Sequence, residues 1–169
     1  MSHTDKHLTE AIHNMGKAQL TLWKVFSAYG IYAFVFFFLG VWFANDWDAQ
    51  TFAQMCLSVG ITLLIVFAIR YTVKRPRPSF LNTGYIPALR KYSFPSAHAS
   101  TAFALATAIA LVQLSAGLNT LGLVTAIVLF MVAILISVSR VMVGVHYLSD
   151  ILVGAGIGTV VSFAVIYFV

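Results

Sequence analysis

Three short clusters hold the side chains best suited to chemistry: Arg70 with Arg77 and Pro78, then Pro95-Ser96-Ala97-His98, then Ser139-Arg140 with His146 and Asp150. A guanidinium is permanently charged and presents a planar fork of donors that matches phosphate oxygens. Three of them brought together would trap a phosphoryl dianion and its more highly charged transition state. The competing reading for a cation at the end of an apolar run is snorkelling to the membrane interface, which accounts for one arginine more readily than for three. Lys74, Arg75, Arg90 and Lys91 are assigned to lipid headgroups on that basis.

His98 stands three residues into an apolar run that opens with Pro95, a residue suited to a first helical turn. Backbone N–H groups near Ser96 and Ala97 then face whatever lies at the helix end, and a helix N-terminus binds anions through dipole and donors together. A lone histidine there is otherwise a structural group with a satisfied ring. His146 and Asp150 are four apart, which on a helix places them on one face, so that Asp150 accepts the imidazole N–H. The other ring nitrogen is then left unprotonated as a nucleophile. The alternative is a helix cap with a surface ion pair, but an aspartate just ahead of a 19-residue apolar run needs a partner to offset its desolvation.

The order and spacing Arg70-x6-Arg77-Pro78, Pro95-Ser96-Ala97-His98 and Ser139-Arg140-x5-His146-x3-Asp150 resemble the three-part signature of the type 2 phosphatidic acid phosphatase family, over residues 70 to 150. The resemblance implies that Arg70, Arg77, Ser96 and Arg140 hold the phosphate together with the Ala97 backbone. It also implies that His146 attacks phosphorus, Asp150 supports it, and His98 protonates the leaving group, with no metal and no other cofactor. Candidate substrates by the same resemblance are undecaprenyl pyrophosphate, phosphatidylglycerol phosphate, phosphatidic acid and lipid A phosphate. Two positions depart from the family pattern, which usually has lysine where this chain has Arg70 and glycine where it has Ala97. Arg70 keeps the cation with a bulkier head, and Ala97 keeps the N–H while adding a methyl group.

These residues need elements to position them, and the composition says where. Of 169 residues, 60% are hydrophobic and 9% charged, more apolar side chain than a soluble fold of this size could cover. The apolar runs reach the ~20 residues of a spanning helix. Spans are expected near residues 25–44, 49–69, 96–114, 120–139 and 151–169, with a turn near Ser115, Gly117 and Asn119, and with Trp23 and Trp42 as interfacial anchors. The polar segments 70–94 and 140–150 are active-site loops; the first holds six of the ten basic residues and three of the four prolines. Family members commonly have six spans, one more than this chain.

Residues 1–22 are too polar for a cleaved signal peptide, and Leu8, Ile12, Met15 and Leu20 give a loosely apolar side suited to an interfacial helix. His3, His7 and His13 share no clean face on which to capture a metal. Cys56 has no internal partner and reads as packing. The expected architecture is an all-α polytopic membrane helix bundle, one domain over residues 1–169, with five spans and an N-terminal interfacial helix. Its partners are a membrane lipid phosphate and the phospholipid bilayer, with no nucleic acid.

Counting spans puts every Lys and Arg on one membrane face. The positive-inside rule assigns that face to the cytoplasm, whereas the resemblance implies an outward-facing site in a bacterial inner membrane, and the outward reading is preferred because phosphate chemistry itself demands the charge. Rival functions are a lipid phosphotransferase using the same histidine, a non-catalytic lipid-binding protein, and a small transporter. The last would need charges or broken helices at mid-membrane, which the spans lack.

Overall fold

The computed structural model describes residues 3–44, 48–78, 92–117 and 119–169. Six α-helices follow in order: α1 His3–Gly16, α2 Leu20–Ala44, α3 Ala49–Val73, α4 Ala97–Ser115, α5 Thr120–Met142 and α6 Leu148–Phe168, with a 3-10 turn Lys17–Gln19 joining α1 to α2. Among the described residues there is no strand, only one isolated bridge between Pro76 and Tyr92. Five helical segments are long and apolar enough to cross a membrane, α1 running on through the 3-10 turn into the first of them. The protein is a multi-pass membrane helix bundle, with side chains such as Phe36, Leu64 and Leu121 on its outer surface, where lipid rather than water accepts them.

Local sequence sets the helix ends. The Asp48 side chain accepts from Thr51 N at 2.7 Å to start α3, and Asn119 accepts from Gly122 N at 2.7 Å to start α5. Such caps contribute about 1 kcal/mol each. Gly117, with φ of 90°, turns the chain between α4 and α5 where the sequence places a turn. The first span is longer than expected, beginning at Leu20 rather than residue 25, because the 3-10 turn keeps the chain helical up to it.

Helix α4 is the most buried and touches α3, α5 and α6. Its contact with α6 is close because Gly154 and Gly158 lie one turn apart on the facing stripe. A methyl group at Gly154 would fall 2.7 Å from the Ser96 carbonyl oxygen, and one at Gly158 2.9 Å from Ala104 N. Ser162 extends the stripe and donates to Ala104 O at 2.9 Å. Where lipid tails compete equally for apolar surface, small residues that let backbones approach are what hold spanning helices together. By contrast α2 and α3, neighbours in sequence, meet chiefly near their hairpin end, where the Trp42 and Phe52 rings are 4.6 Å apart. An apolar groove of about 280 Å³ lies between them in front of α4, lined by Val35, Phe38, Phe52, Met55, Cys56 and Leu105 among others. Cys56 therefore faces this groove and the surface rather than the packed core.

Of the apolar side of helix α1 only Ile12 is packed inward, against Ala99, Val141 and Ile151. The helix lays the stripe Asp5, Thr9, His13 and Gly16 against the ends of α5 and α6, leaving Leu8 and Met15 outside. His13 Nδ1 donates to the Met142 carbonyl at 2.7 Å, so it is a packing group here. Of the three N-terminal histidines only His3 and His7 have ring nitrogens together, at 3.2 Å, and no group of three potential metal ligands occurs among the described residues.

Gly158→Leu is expected to force α6 off α4, an overpacking that costs about 1–3 kcal/mol or more. Thermal unfolding in detergent should show a clear drop in Tm, whereas Gly156→Leu, at a position with open space around it, should leave Tm unchanged.

Candidate active site

The three clusters meet at the end of the bundle formed by the C-termini of α3 and α5 and the N-termini of α4 and α6. Pro95 is not in the first turn of α4, as the sequence reading had it; it precedes the N-cap Ser96, and the helix begins at Ala97. Ser96 is fully buried. Its hydroxyl faces Ala99 N at 3.5 Å, and its own N–H donates to the Asp150 carbonyl at 3.0 Å, so this N–H is committed to fixing α4 on α6.

Helix α5 ends in a paired set of hydrogen bonds, Val145 N to Arg140 O and Gly144 N to Val141 O, with Gly144 at φ 76°. This left-handed closure, which favours glycine, reverses the chain sharply and delivers His146 before α6 has begun. His146 and Asp150 are therefore not on one helical face. Instead, Asp150 in the first turn of α6 reaches back, its Oδ2 accepting from Tyr147 N at 2.9 Å and from His146 Nδ1 at 3.3 Å. The expected contact is present, and the reason is a capping interaction rather than helical periodicity.

His146 is 2% exposed and Asp150 fully buried. Accepting the Nδ1 proton leaves Nε2 with its lone pair, and Arg77 Nη1 lies 3.4 Å from it. Burial, and then the guanidinium charges of Arg140, Arg77 and Arg70 in that order, hold the His146 ring well below its usual pKa, against a smaller opposing effect from a hydrogen bond with the Ser93 backbone. All three arginines thus act on one imidazole.

Each of the three arginines is aimed by carbonyl oxygens. Arg70 donates to Pro95 O at 2.6 Å, Arg77 to Val145 O at 2.5 Å, and Arg140 to Ser27 O at 2.8 Å and also to the Ser27 hydroxyl. A carbonyl orients a guanidinium without cancelling its charge, and each such bond contributes about 1.5–3 kcal/mol. Lys74 closes α3 with φ of 51°, unusual for a residue with a side chain, and so turns the chain through Arg75-Pro76-Arg77 toward the site. Ala97 and His98 line a cavity of about 690 Å³ with Arg70, Tyr71, Lys74 and Tyr92. This cavity shares Thr101 with the apolar groove between α2 and α3.

Three participants escaped the sequence reading. Arg75, assigned there to lipid headgroups, instead donates to Asp150 Oδ1 at 2.8 Å and to Asp5 Oδ2 at 2.5 Å, with its guanidinium 4.0 Å over the Tyr147 ring. Asp5 lies 145 positions before Asp150 in the chain, and no local pattern links the two. Ser27 was read as one more residue of an apolar span. A hydroxyl in such a run was the available signal. Within the expected active-site loop 70–94, residues 79–91 lie outside the described residues, Arg90 and Lys91 among them.

The PAP2 superfamily model matches residues 51–169. An undecaprenyl-diphosphatase from Sulfolobus acidocaldarius is 34% identical over 116 residues, 62% of this chain and 52% of that protein, so the chain spans about half the length of this curated relative. The crystal structure of the first transmembrane PAP2 type phosphatidylglycerolphosphate phosphatase from Bacillus subtilis superimposes with a TM-score of 0.75 at 23% identity, covering 99% of this chain and 87% of that one. Aquifex aeolicus LpxE gives a TM-score of 0.72 at 26% identity, covering 96% and 94%.

Because folding selects the neutral His146 ring, its Nε2 should stay unprotonated as pH falls through about 6.5, where an unfolded histidine charges. The unfolded chain then binds the extra proton, so stability is drawn down as pH falls below that value. Histidine-selective 15N spectra in detergent, with His146→Gln for assignment, should show a neutral ring at pH 6.5; half protonation at that pH would contradict the arrangement.

Proposed function

Because the chain belongs to the PAP2 superfamily, we propose that it is an integral membrane phosphatase that hydrolyses the phosphate or diphosphate headgroup of a lipid through His146. The observation that carries this reading is the buried His146 ring, held at Nδ1 by Asp150, with Arg77 beside Nε2 and the charges of Arg140, Arg77 and Arg70 acting on it.

In the proposed reaction Nε2 attacks the terminal phosphorus and its bond to the leaving oxygen breaks, the lipid's own oxygen in a monoester or the bridging oxygen in a diphosphate, while His98 donates a proton to that oxygen. Water then attacks the phosphohistidine, His98 takes its proton, and inorganic phosphate leaves with His146 restored. Arg70, Arg77 and Arg140 stabilise the charge on the phosphoryl oxygens through both steps, aided by Ser96 and the Ala97 backbone at the N-terminus of α4. Asp150 fixes the tautomer and offsets the positive charge that develops on the ring.

A lipid substrate is supported by two neighbouring spaces that share Thr101 as a lining residue, the cavity beside His98 and Arg70 and the apolar groove between α2 and α3. A headgroup in the first and a hydrocarbon chain in the second would place one molecule across both. The undecaprenyl-diphosphatase relative favours a polyprenyl diphosphate among the candidates. We place the site on the outer face of the cytoplasmic membrane, following the family resemblance over the count of positive charges.

Purified protein in detergent should release inorganic phosphate from a panel of polyprenyl and glycerolipid phosphates without any acceptor lipid, and EDTA should not stop it. His146→Ala should abolish release, and His98→Ala should slow it by about 10²–10⁴-fold; a His146→Ala protein that still turns over rules the mechanism out. For orientation, a membrane-impermeant thiol reagent should label a cysteine placed in residues 79–89 of a Cys56→Ala protein in intact cells, and absence of labelling would reverse the assignment.

A further inference from the structure

We propose that the N-terminal helix α1 is part of the working site: Asp5, acting through Arg75, is a positioning residue that keeps the Asp150 carboxylate on His146. This rests on the phosphatase reading above, in which His146 is the nucleophile.

The geometry begins with how Arg75 divides its donors. Nη1 binds Asp150 Oδ1 at 2.8 Å and Ser149 Oγ at 2.6 Å, and Nη2 binds Asp5 Oδ2 at 2.5 Å. A guanidinium beside a single carboxylate tends to engage both its oxygens in a fork. Here Asp5 occupies the second prong, so Arg75 takes only Oδ1 of Asp150, and Oδ2 is left for Tyr147 N and His146 Nδ1. Remove the charge at residue 5 and the fork can close on Asp150, drawing the lone pairs of Oδ2 away from the imidazole. The three charges Asp5, Arg75 and Asp150 also sum to minus one, the balance that a histidine gaining positive charge requires.

Independent contacts show that α1 is fitted to this task. The first N–H groups of α6 have no partners within their own helix, and α1 supplies them: Leu148 N donates to Thr9 Oγ1 at 3.1 Å and Ser149 N to Asp5 Oδ1 at 3.1 Å. Ser149 Oγ also donates to Asp5 Oδ2 at 2.6 Å. At the other end of α1, His13 holds Met142 O and Gly16 packs directly on the Met142 side chain. The polar stripe Asp5–Thr9–His13 therefore joins the last turn of α5 to the first turn of α6, the two ends that bracket His146. Thr9 has no exposed surface, and the Asp5 and Arg75 side chains are each 14% exposed. A helix that merely rested on the membrane would have no use for buried polar groups on its inner side.

The test uses the full chain in detergent, assayed on a lipid phosphate that the unaltered protein hydrolyses, with variants Asp5→Asn, Asp5→Glu and Glu10→Gln. Glu10 is on the outer side, paired loosely with Lys6 at 3.9 Å. Asp5→Asn is expected to lower kcat by about 10–100-fold, the usual effect of losing an outer-shell partner. KM should move by less than about twofold. Asp5→Glu should recover most of the loss and Glu10→Gln should show none. As a readout independent of turnover, the Nδ1 resonance of His146 should shift in Asp5→Asn and not in Glu10→Gln. Full kcat in Asp5→Asn overturns the inference, and so does a loss of kcat that merely tracks a fall in Tm with an unmoved Nδ1 resonance. If His146→Ala retains turnover, the phosphatase reading itself fails, which is a different result from an active protein indifferent to residue 5.

Discussion

Asp150 is a carboxylate with no exposed surface at the start of a membrane-spanning helix, and an ionised group left there without partners would cost several kcal/mol. Its two oxygens answer that cost in different ways. Oδ1 takes the charge of Arg75, and Oδ2 takes the N–H groups of Tyr147 and His146. Satisfying this one group requires α6 to start at Leu148, the turn after α5 to deliver His146 beside it, the chain after α3 to bring in Arg75, and α1 to fold over all of them. Much of the arrangement at this end of the bundle follows from the need to hold that carboxylate.

The four arginines of the site are held by two contrasting means. Arg75 lies between two carboxylates, so its charge is spent within the protein. Arg70, Arg77 and Arg140 donate to the Pro95, Val145 and Ser27 carbonyl oxygens, neutral acceptors that orient each cation and its field. That field is felt by His146 as a depressed pKa. A phosphoryl group arriving at the proposed site would meet the same field as attraction. On the proposed mechanism one set of charges thus keeps His146 neutral before the reaction and stabilises the anion during it.

Much of this was legible in the chain. Uncharged runs anticipated the long helices to within a few residues, except that α2 begins five residues before the expected start, and the spacing of Arg70, Arg77, Ser96, His98, Arg140, His146 and Asp150 picked out residues that the fold brings to one end of the bundle. What was misread depended on tertiary contact. Arg75 sits between Lys74 and Pro76 in a run of cations, and nothing local separates it from a headgroup-binding residue; only the arrival of Asp5 from the far end of the chain does. The stripe Asp5, Thr9, His13 was present at helical spacing, but Leu8, Ile12 and Met15 drew attention as an apolar side suited to the membrane interface. In a membrane protein the outside is apolar, and a polar stripe is as good a candidate for the inside. Gly154 and Gly158, four apart in an apolar run, carried a packing signal that needed only this same inversion to be read.

The inversion also separates the two sides of the site. On the α5–α6 side the chain is closed by α1, whose polar contacts immobilise His146 and its support. On the α2–α3 side the helices meet near their hairpin end and leave a groove beneath the cavity that holds His98 and Arg70. For the proposed lipid substrate the groove offers apolar, unfilled surface, whereas the cavity against α1 is bordered by the charged Asp5, Lys74 and Arg75. On the proposed mechanism His146 is thus braced from the α1 flank, and the cavity lined by His98 and Arg70, where the phosphate would be received, lies on the other.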